Sequence, residues 1–506
     1  MKIFLIYPNS GSQVGFNYGA AHIVAVLKAA GHQVRFWQLC EDLEPLPDKN
    51  EFIARIQDQA PDLLAFSVVT NQWSYTMQLA QWGREELSIP QICGGIHALL
   101  NAEEILRTGL FDYVFRGECE EAFPEFVEKI SHNEAVKTLC NLAYIEGDRV
   151  VINPVRPLPI LEDLPFKDYK MMDFQQLIDA KNGWVGMISS RGCPFSCTYC
   201  FNHRMVSAYR QDLQCSVAKL NYMRHFRVDQ IIDEIKYLLS NYQRIKMFIF
   251  DDDLFTFDHD YVKEFCREYK KISKIPFVVN AHVNYFNDDI ARDLADANCQ
   301  IVKFGVESGS PRIRDKILNR HMTNENIIQA IQTVHRYGMH SSVFLIIGFP
   351  HETFDDVFQT IQLMASARPG RFRWTFFYPF PGTKAYEITK EGGYINEGKM
   401  KTLKNFTDGS CLEFSPEQNR LLKKIGRMMP WFVNAKTDGP VADFYSQKVE
   451  EILALNDDQW ETRSAGLIDE DAVISQQFCT KGLSHYAVKY NPFMGVISDY
   501  FLNEKD

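Results

Sequence analysis

The stretch Ser189-Ser190-Arg191-Gly192-Cys193-Pro194-Phe195-Ser196-Cys197-Thr198-Tyr199-Cys200-Phe201-Asn202 decides how this chain is read. Its three cysteines have the spacing C-x3-C-x2-C. Thiolates are the soft ligands that iron–sulfur clusters take. A cubane cluster wants four ligands, so three local cysteines leave one iron open to a small molecule. An open iron makes the cluster a reaction centre as well as an electron carrier. Zinc sites more often use paired C-x2-C units, and no second such pair occurs. The plainer alternative is three scattered buried thiols. Single cysteines are common in cores, but clustering of this kind is not.

Working outward, the cysteine loop follows a candidate strand at 185–190, the first of a series. Further strands are read at 245–250, 277–281, 301–306, 343–348 and 374–378. Helical patterns lie between them. In 228–239 the stripe is Ile231, Ile232, Ile235, Leu238 and Leu239; in 326–337 it is Ile327, Ile331 and Val334, closed by Gly338. Six such units predict a partial (β/α)6 barrel, whose chemistry lies in the loops after the strands. One strand end reads Phe250-Asp251-Asp252-Asp253-Leu254-Phe255-Thr256. Adjacent carboxylates repel, so they call for a cationic or donor-rich partner. A solvated acidic loop and a magnesium site are the alternatives, the latter without a phosphate-binding loop beside it. Later strand ends carry Gly305-Val306-Glu307-Ser308-Gly309-Ser310, then Gly348-Phe349-Pro350-His351-Glu352-Thr353, then Pro379-Phe380-Pro381-Gly382-Thr383. Glu307 and Ser308 can bond a ribose or an amino-acid head. The last two motifs also make sense as plain turn chemistry.

Residues 1–145 form a separate strand–helix alternation. Strands at 2–7, 33–37, 62–68, 90–93 and 113–115 predict a doubly wound, Rossmann-like domain. Such folds bind ligands at the carboxyl ends of their strands. Those ends carry Pro8–Gly11, Ser67 to Asn71, Gly94-Gly95 and Gly117-Glu118. A scaffold without a ligand would also place turns there. Residues 146–180 are proline-rich and read as a linker. Residues 181–385 hold the barrel, and 386–506 form a mainly helical tail. Within that tail, 423–433 is an amphipathic helix with Met428, Met429 and Trp431, a stripe that reads as core.

Composition narrows the function classes. Of 506 residues, 46 % are hydrophobic and 24 % charged, an ordinary globular balance. The net charge of −11 argues against a broad nucleic-acid footprint. The basic run Arg204, Arg210, Lys219, Arg224 and Arg227 reads as a solvated or substrate-facing loop. No secretory signal opens the chain and no run of about 18 apolar residues occurs, so no membrane span and a reducing cytoplasm are expected.

Taken in order, the cysteine loop, Phe-x-Asp-Asp-x-Phe-Thr, Gly-x-Glu-Ser-Gly-Ser, Ile-x-Gly-x-Pro-x-Glu-Thr and Pro-x-Pro-Gly-Thr resemble the radical S-adenosylmethionine (SAM) enzymes that carry an N-terminal cobalamin-binding domain. Gly94 to His97 and the Arg-Gly-Glu-x-Glu at 116–120 also resemble that family, and the likeness runs over roughly 1–385. The resemblance implies that Cys193, Cys197 and Cys200 hold a [4Fe–4S] cluster whose open iron SAM chelates. It implies Tyr199 near adenine, Asp252 and Asp253 at the SAM amino group, Glu307 and Ser308 at ribose or methionine, and Gly348 leaving room for adenine. It places Ser67, Gly94, Gly95, Gly117 and Glu118 around the cobalamin tail. One departure stands out. Cobalamin domains that ligate cobalt by histidine use Asp-x-His-x-x-Gly after the first strand, and here that loop reads Pro8-Asn9-Ser10-Gly11-Ser12-Gln13. His22 and His97 read as structural.

The resemblance implies a radical methyltransferase: hydrogen abstraction from an unactivated carbon, then methyl transfer from cobalamin, with an external flavodoxin- or ferredoxin-type electron donor. The alternative keeps the cofactors without methyl transfer, as in ring closure by anaerobic magnesium-protoporphyrin cyclase. A third reading is a non-enzymatic redox or cobalamin-sensing module. The substrate, a small molecule or a peptide side chain, is not written in the motifs, although Trp374–Phe380 and Met428–Phe432 suggest an apolar lining.

Overall fold

The computed structural model describes residues 1–403, 406–407, 409–491 and 495–499, and it divides into two compact units. The first comprises Met1–Pro194 and Phe201–Asp253; the second comprises Phe195–Cys200 and Leu254–Asp506.

The first unit opens with β1 (Lys2–Pro8), β2 (Gln33–Leu39), β3 (Leu63–Ser67), β4 (Gln91–Gly94) and β5 (Tyr113–Phe115), followed by β6 (Leu142–Glu146) and β7 (Arg149–Ile152). They form one sheet in the order β2-β1-β3-β4-β5-β6-β7, parallel through β5. β1 reads as an unbroken apolar run because Ile3, Phe4, Leu5 and Ile6 are all buried, as parallel strands covered on both faces require. The helix Tyr18–Ala29 starts where the Asn17 side chain accepts from the Ala20 N–H, and it buries Val24 and Leu27. The expected doubly wound order is present, with one addition. The hairpin β6–β7 extends the sheet antiparallel, so the proline-rich stretch after 145 begins as a strand. Only four residues of β7 are involved, flanked by Gly147 and Pro154, which hides them from a periodicity argument.

The same unit contains the start of the second series: β8 (Trp184–Met187), β9 (Ser190–Arg191), β10 (Arg224–His225) and β11 (Met247–Phe250). β8 pairs in parallel with β11, and β9 pairs antiparallel with β10, placing Arg191 opposite Arg224. The second unit continues with β12 (Phe277–Ala281), β13 (Cys299–Glu307), β14 (His340–Ile347) and β15 (Arg371–Phe376), consecutive and parallel. This is the strand–helix series of a partial (β/α) barrel. β17 (Gly495–Asp499) pairs antiparallel with β15, and β16 (Ala487–Asn491) pairs antiparallel with β17. The tail is helical, as expected. Its longest helix, Pro416–Asn434, is kinked at Met428, ahead of Pro430. Met428, Met429 and Trp431 are fully buried, so that stripe is core. Among the described residues, no helix is long and apolar enough to cross a membrane.

Candidate functional site

The carboxyl ends of β3, β4 and β5 open onto a cavity of about 500 Å³ within the first unit. Ser67, Gly94, Gly95, Gly117 and Glu118 all line it, on the Rossmann side. Ile188, Arg191, Gly192, Asn202, Tyr222 and Asp253 line it from the other strand series. Leu5, Ile23, Phe66, Leu99 and Phe123 make much of the wall apolar.

The glycines have distinct physical roles. A Cβ on Gly94 would meet nothing nearer than 3.9 Å, so its absence leaves open space. Gly95 has φ +93°, and a Cβ there would lie 2.6 Å from the Val68 backbone. Its glycine brings β3 and β4 ends together. A Cβ on Gly117 would strike the Tyr209 hydroxyl, which accepts from the Glu118 N–H at 2.7 Å.

A buried ion cluster borders this cavity. Glu118 pairs with Arg191 and Arg224, and Glu120 pairs with Arg191 at 2.7 Å. Burial alone would raise the Glu118 carboxyl, but the two guanidiniums outweigh it and hold it below the ordinary carboxylate range. Arg224 is 7 % exposed and also donates to Pro159 O at 2.8 Å, so it departs from the solvated basic loop expected for 204–227. His22 is buried with Nδ1 3.1 Å from Arg191, and His97 sits against Thr70 and Asn101.

The three aspartates after β11 divide their work. Asp251 accepts from the Tyr18 hydroxyl at 2.7 Å. Asp252 is fully buried; it accepts from the Ser189 N–H, from Ser189 Oγ at 2.7 Å and from Ser190 Oγ. Burial pushes its carboxyl up to about 6 against those hydrogen bonds. Asp253 is exposed into the cavity it lines, and Asn202 and the Gly192 N–H bond its carboxyl. Protein around it still raises its affinity for a proton.

In the second unit, Cys197, Tyr199 and Cys200 sit with the β13 end. Glu307 is buried at φ +66°, where the pairing of β13 with β14 shifts register. A bulge at a left-handed, non-glycine residue is a strained way to aim one side chain. Burial raises the Glu307 carboxyl, opposed by Arg320 and a Tyr199 hydrogen bond. Arg320 lies 3.4 Å from Cys197 Sγ through Nη1 and also bonds Gly305 O. Ser308 is fully buried against Thr360 and Ser310. Gly348 has φ +79°, and its N–H donates to Glu352.

Among the described residues, no three His, Cys, Asp or Glu side chains are arranged around a single metal ion. A cubane does not ask for that, because each of its irons takes one cysteine. The donor chemistry fits such a cluster: three thiols in one loop and a partly buried guanidinium beside one of them. The cavity fits a large, mostly apolar ligand with hydrogen-bonding edges. Its glycine floor is open at Gly94, and Glu120 Oε2 is buried there without a partner.

Sequence reasoning assigns no individual role to Arg191, Glu120 or Arg320, and reads Arg224 only as part of a solvated or substrate-facing loop. The only signal for them is local: Arg191 directly precedes Gly192-Cys193, and Glu118 and Glu120 share an i, i+2 spacing.

Residues 187–364 match the Radical SAM superfamily model, and residues 9–127 match the B12 binding domain model. The chain is 28 % identical over 404 residues to an uncharacterized methyltransferase of Pyrococcus horikoshii, covering 76 % of this chain and 83 % of that one. It is 21 % identical to the anaerobic magnesium-protoporphyrin IX monomethyl ester cyclase of Cereibacter sphaeroides, over 77 % of this chain and 64 % of the relative. Its fold is similar to the radical SAM methyltransferase TsrM of Kitasatospora setae, solved with cobalamin and a [4Fe–4S] cluster. The TM-score is 0.63 at 16 % identity, covering 78 % of this chain and 79 % of that one.

Proposed function

We propose, from the premise that this chain is a cobalamin-dependent radical SAM enzyme with a B12-binding domain ahead of its radical SAM domain, that it methylates an unactivated carbon. The observation that carries this is the cavity, lined jointly by the Rossmann strand ends and by residues next to Cys193. When bound, the cluster with SAM supplies the hydrogen-abstracting radical, and cobalamin supplies the methyl group.

The chain's own residues position and shield these groups. Cys193, Cys197 and Cys200 hold three irons. Asp253, already facing the cavity, is the acceptor for the SAM amino group, while Asp252 fixes the loop through Ser189 and Ser190. Glu307, held by Tyr199 and Arg320, meets the ribose or methionine portion. Ser308 braces that turn, Tyr199 lies by the adenine, and Gly348 gives it room. Ser67, Gly94, Gly95, Gly117 and Glu118 receive the cobalamin tail. Residues 1–145 and 181–385 are the two cofactor domains, joined through 146–180. Residues 386–506 cap the substrate, which fits the closeness of Leu422 to Gly348 and of Gly426 to Phe376. The enzyme works in a reducing cytoplasm on a small molecule or peptide, fed by a flavodoxin- or ferredoxin-type donor, without nucleic acid.

The test uses anaerobically purified, cluster-reconstituted protein with hydroxocobalamin. Iron and cobalamin are quantified, then SAM and reductant are added. Formation of 5′-deoxyadenosine and S-adenosylhomocysteine, both lost in Cys197→Ala, supports methyl transfer. Deoxyadenosine with bound cobalamin but no S-adenosylhomocysteine points to the cyclase-like alternative. Deoxyadenosine without bound cobalamin removes cobalt from the reaction.

A further inference from the structure

Glu120 is 5 % exposed, lines the cavity, and gives Oε1 to Arg191 at 2.7 Å. Its other oxygen, Oε2, is buried with no hydrogen-bond partner. A carboxylate oxygen stripped of water and left unpaired is strongly unfavourable, so it marks a place where a donor belongs. Glu118 has no such vacancy, because Arg224 takes Oε1 and Arg191 and Arg224 share Oε2.

The same ion pair reaches the cluster loop. Arg191 is followed by Gly192 and then Cys193. Gly192 has φ +96°, and a Cβ there would lie 2.2 Å from Tyr222 O. The backbone between Arg191 and Cys193 is therefore pressed against its neighbour and has little slack. Arg191 is itself gripped by two carboxylates and paired in register with Arg224. Shifting it would strip a partly buried charge of its two carboxylate partners.

We propose that Glu120 and Arg191 form a positioning relay between the cavity and the cluster. A peripheral amide N–H of the bound corrinoid bonds Glu120 Oε2, and Arg191 carries that constraint along two peptide units to Cys193. This rests on the cobalamin reading above and adds to it a named coupling. Coupling between two sites is reciprocal: if the cluster tightens cobalamin binding, cobalamin alters the cluster's surroundings by the same free energy.

The experiment titrates hydroxocobalamin into the full chain, with and without its reconstituted cluster, under anaerobic conditions. Wild type is expected to bind at least about 5-fold more tightly with the cluster, the lower end of usual couplings. Glu120→Gln keeps the shape and one acceptor but loses the charge that grips Arg191, so its affinity ratio falls to about 1. Arg191→Lys keeps a cation but cannot fork between two carboxylates. Whatever its affinity in the cluster-free form, its affinity ratio falls to about 1. The EPR spectrum of the reduced cluster changes on adding cobalamin in wild type and not in Arg191→Lys. A ratio of 1 in wild type, which needs no variant to fold, overturns the relay. So does a ratio that survives both substitutions. If neither form of the wild type binds hydroxocobalamin, the cobalamin reading falls and takes the relay with it.

Discussion

Gly94 and Gly95 are neighbours in sequence, yet a side chain added at each should fail in a different way. Gly94 lines the cavity, and an ideal Cβ there has its nearest neighbours, Phe115 Cβ and Phe66 O, at 3.9 Å. The backbone therefore accepts a Cβ there, and the remaining carbons of a leucine are expected to take up space in the cavity that Gly94 lines. Overpacking a filled site costs about 1–3 kcal/mol, a loss of roughly 5- to 150-fold in affinity. Gly95 has φ +93° and ψ −176°, a region that is essentially glycine-only and costs other residues about 1–3 kcal/mol. Its added Cβ would also sit 2.6 Å from Val68 N and Val68 O, in a turn where the Val68 N–H bonds Gly94 O. Gly95→Ala should thus lower the melting transition of the first unit by several degrees, at about 2–4 °C per kcal/mol for a unit of this size. Gly94→Leu should melt with wild type and bind hydroxocobalamin weakly. Circular-dichroism melts and cobalamin titrations on both variants decide it. Wild-type melting in Gly95→Ala, or wild-type affinity in Gly94→Leu, would refute the geometry of these strand ends.

Three further outcomes follow from buried groups. Burial pushes the Glu352 carboxyl up to about 8, against N–H bonds from Gly348 and Phe349. The folded value lies above the unfolded one, so the stability this group contributes is complete below about pH 4.3 and is lost as pH rises through about 8. Glu352→Gln should flatten that slope, gaining on wild type above pH 8 in melts recorded across pH; parallel slopes count against it. Arg320→Gln removes the cation beside Cys197 and leaves Glu307 buried without it. The cluster potential should move negative by tens of millivolts, on the order of 1 kcal/mol for a one-electron couple, in an EPR-monitored redox titration. An unmoved potential would show that Arg320 does not feel the cluster. Gly426→Ala sets a Cβ 2.3 Å from the Phe376 ring, in the turn whose carbonyl accepts from Trp374. It should destabilise the second unit by about 1–3 kcal/mol, and a native-like melt would mean that the helix can shift on β15.

Many of the strands were legible because they are apolar runs, and at β1, β4, β11 and β14 glycine, proline or acidic residues close the run. The run Ile3 to Ile6 and the stop at Gly94-Gly95 needed no tertiary information. β7 was illegible because four residues set between Gly147 and Pro154 carry no period. The aspartates show a subtler limit. The resemblance puts both Asp252 and Asp253 at the SAM amino group, whereas only Asp253 lines the cavity and Asp252 is turned into the core. That depends on Ser189 and Ser190, sixty residues earlier, whose hydroxyls and amide draw Asp252 into the core.

The same limit governs the ion cluster, and there it has a consequence for mechanism. Arg191 looks like an ordinary lead-in to a cysteine motif, and Arg224 like part of a basic loop. Only the pairing of β9 with β10 sets them side by side, and only the turn after β5 brings Glu118 and Glu120 to neutralise them. Two arginines against two glutamates cancel in charge, so the cluster can be buried at the cavity wall without a net ion. The balance also makes it unforgiving: loss of Glu120 leaves Arg191 one carboxylate short, next to the loop that ends in Cys193. A chain whose Rossmann and barrel loops were merely tethered would need no such balance. Here the turn after β5 supplies both anions and the paired strands β9 and β10 supply one cation each, so the cavity wall and the lead-in to Cys193 share one ion cluster.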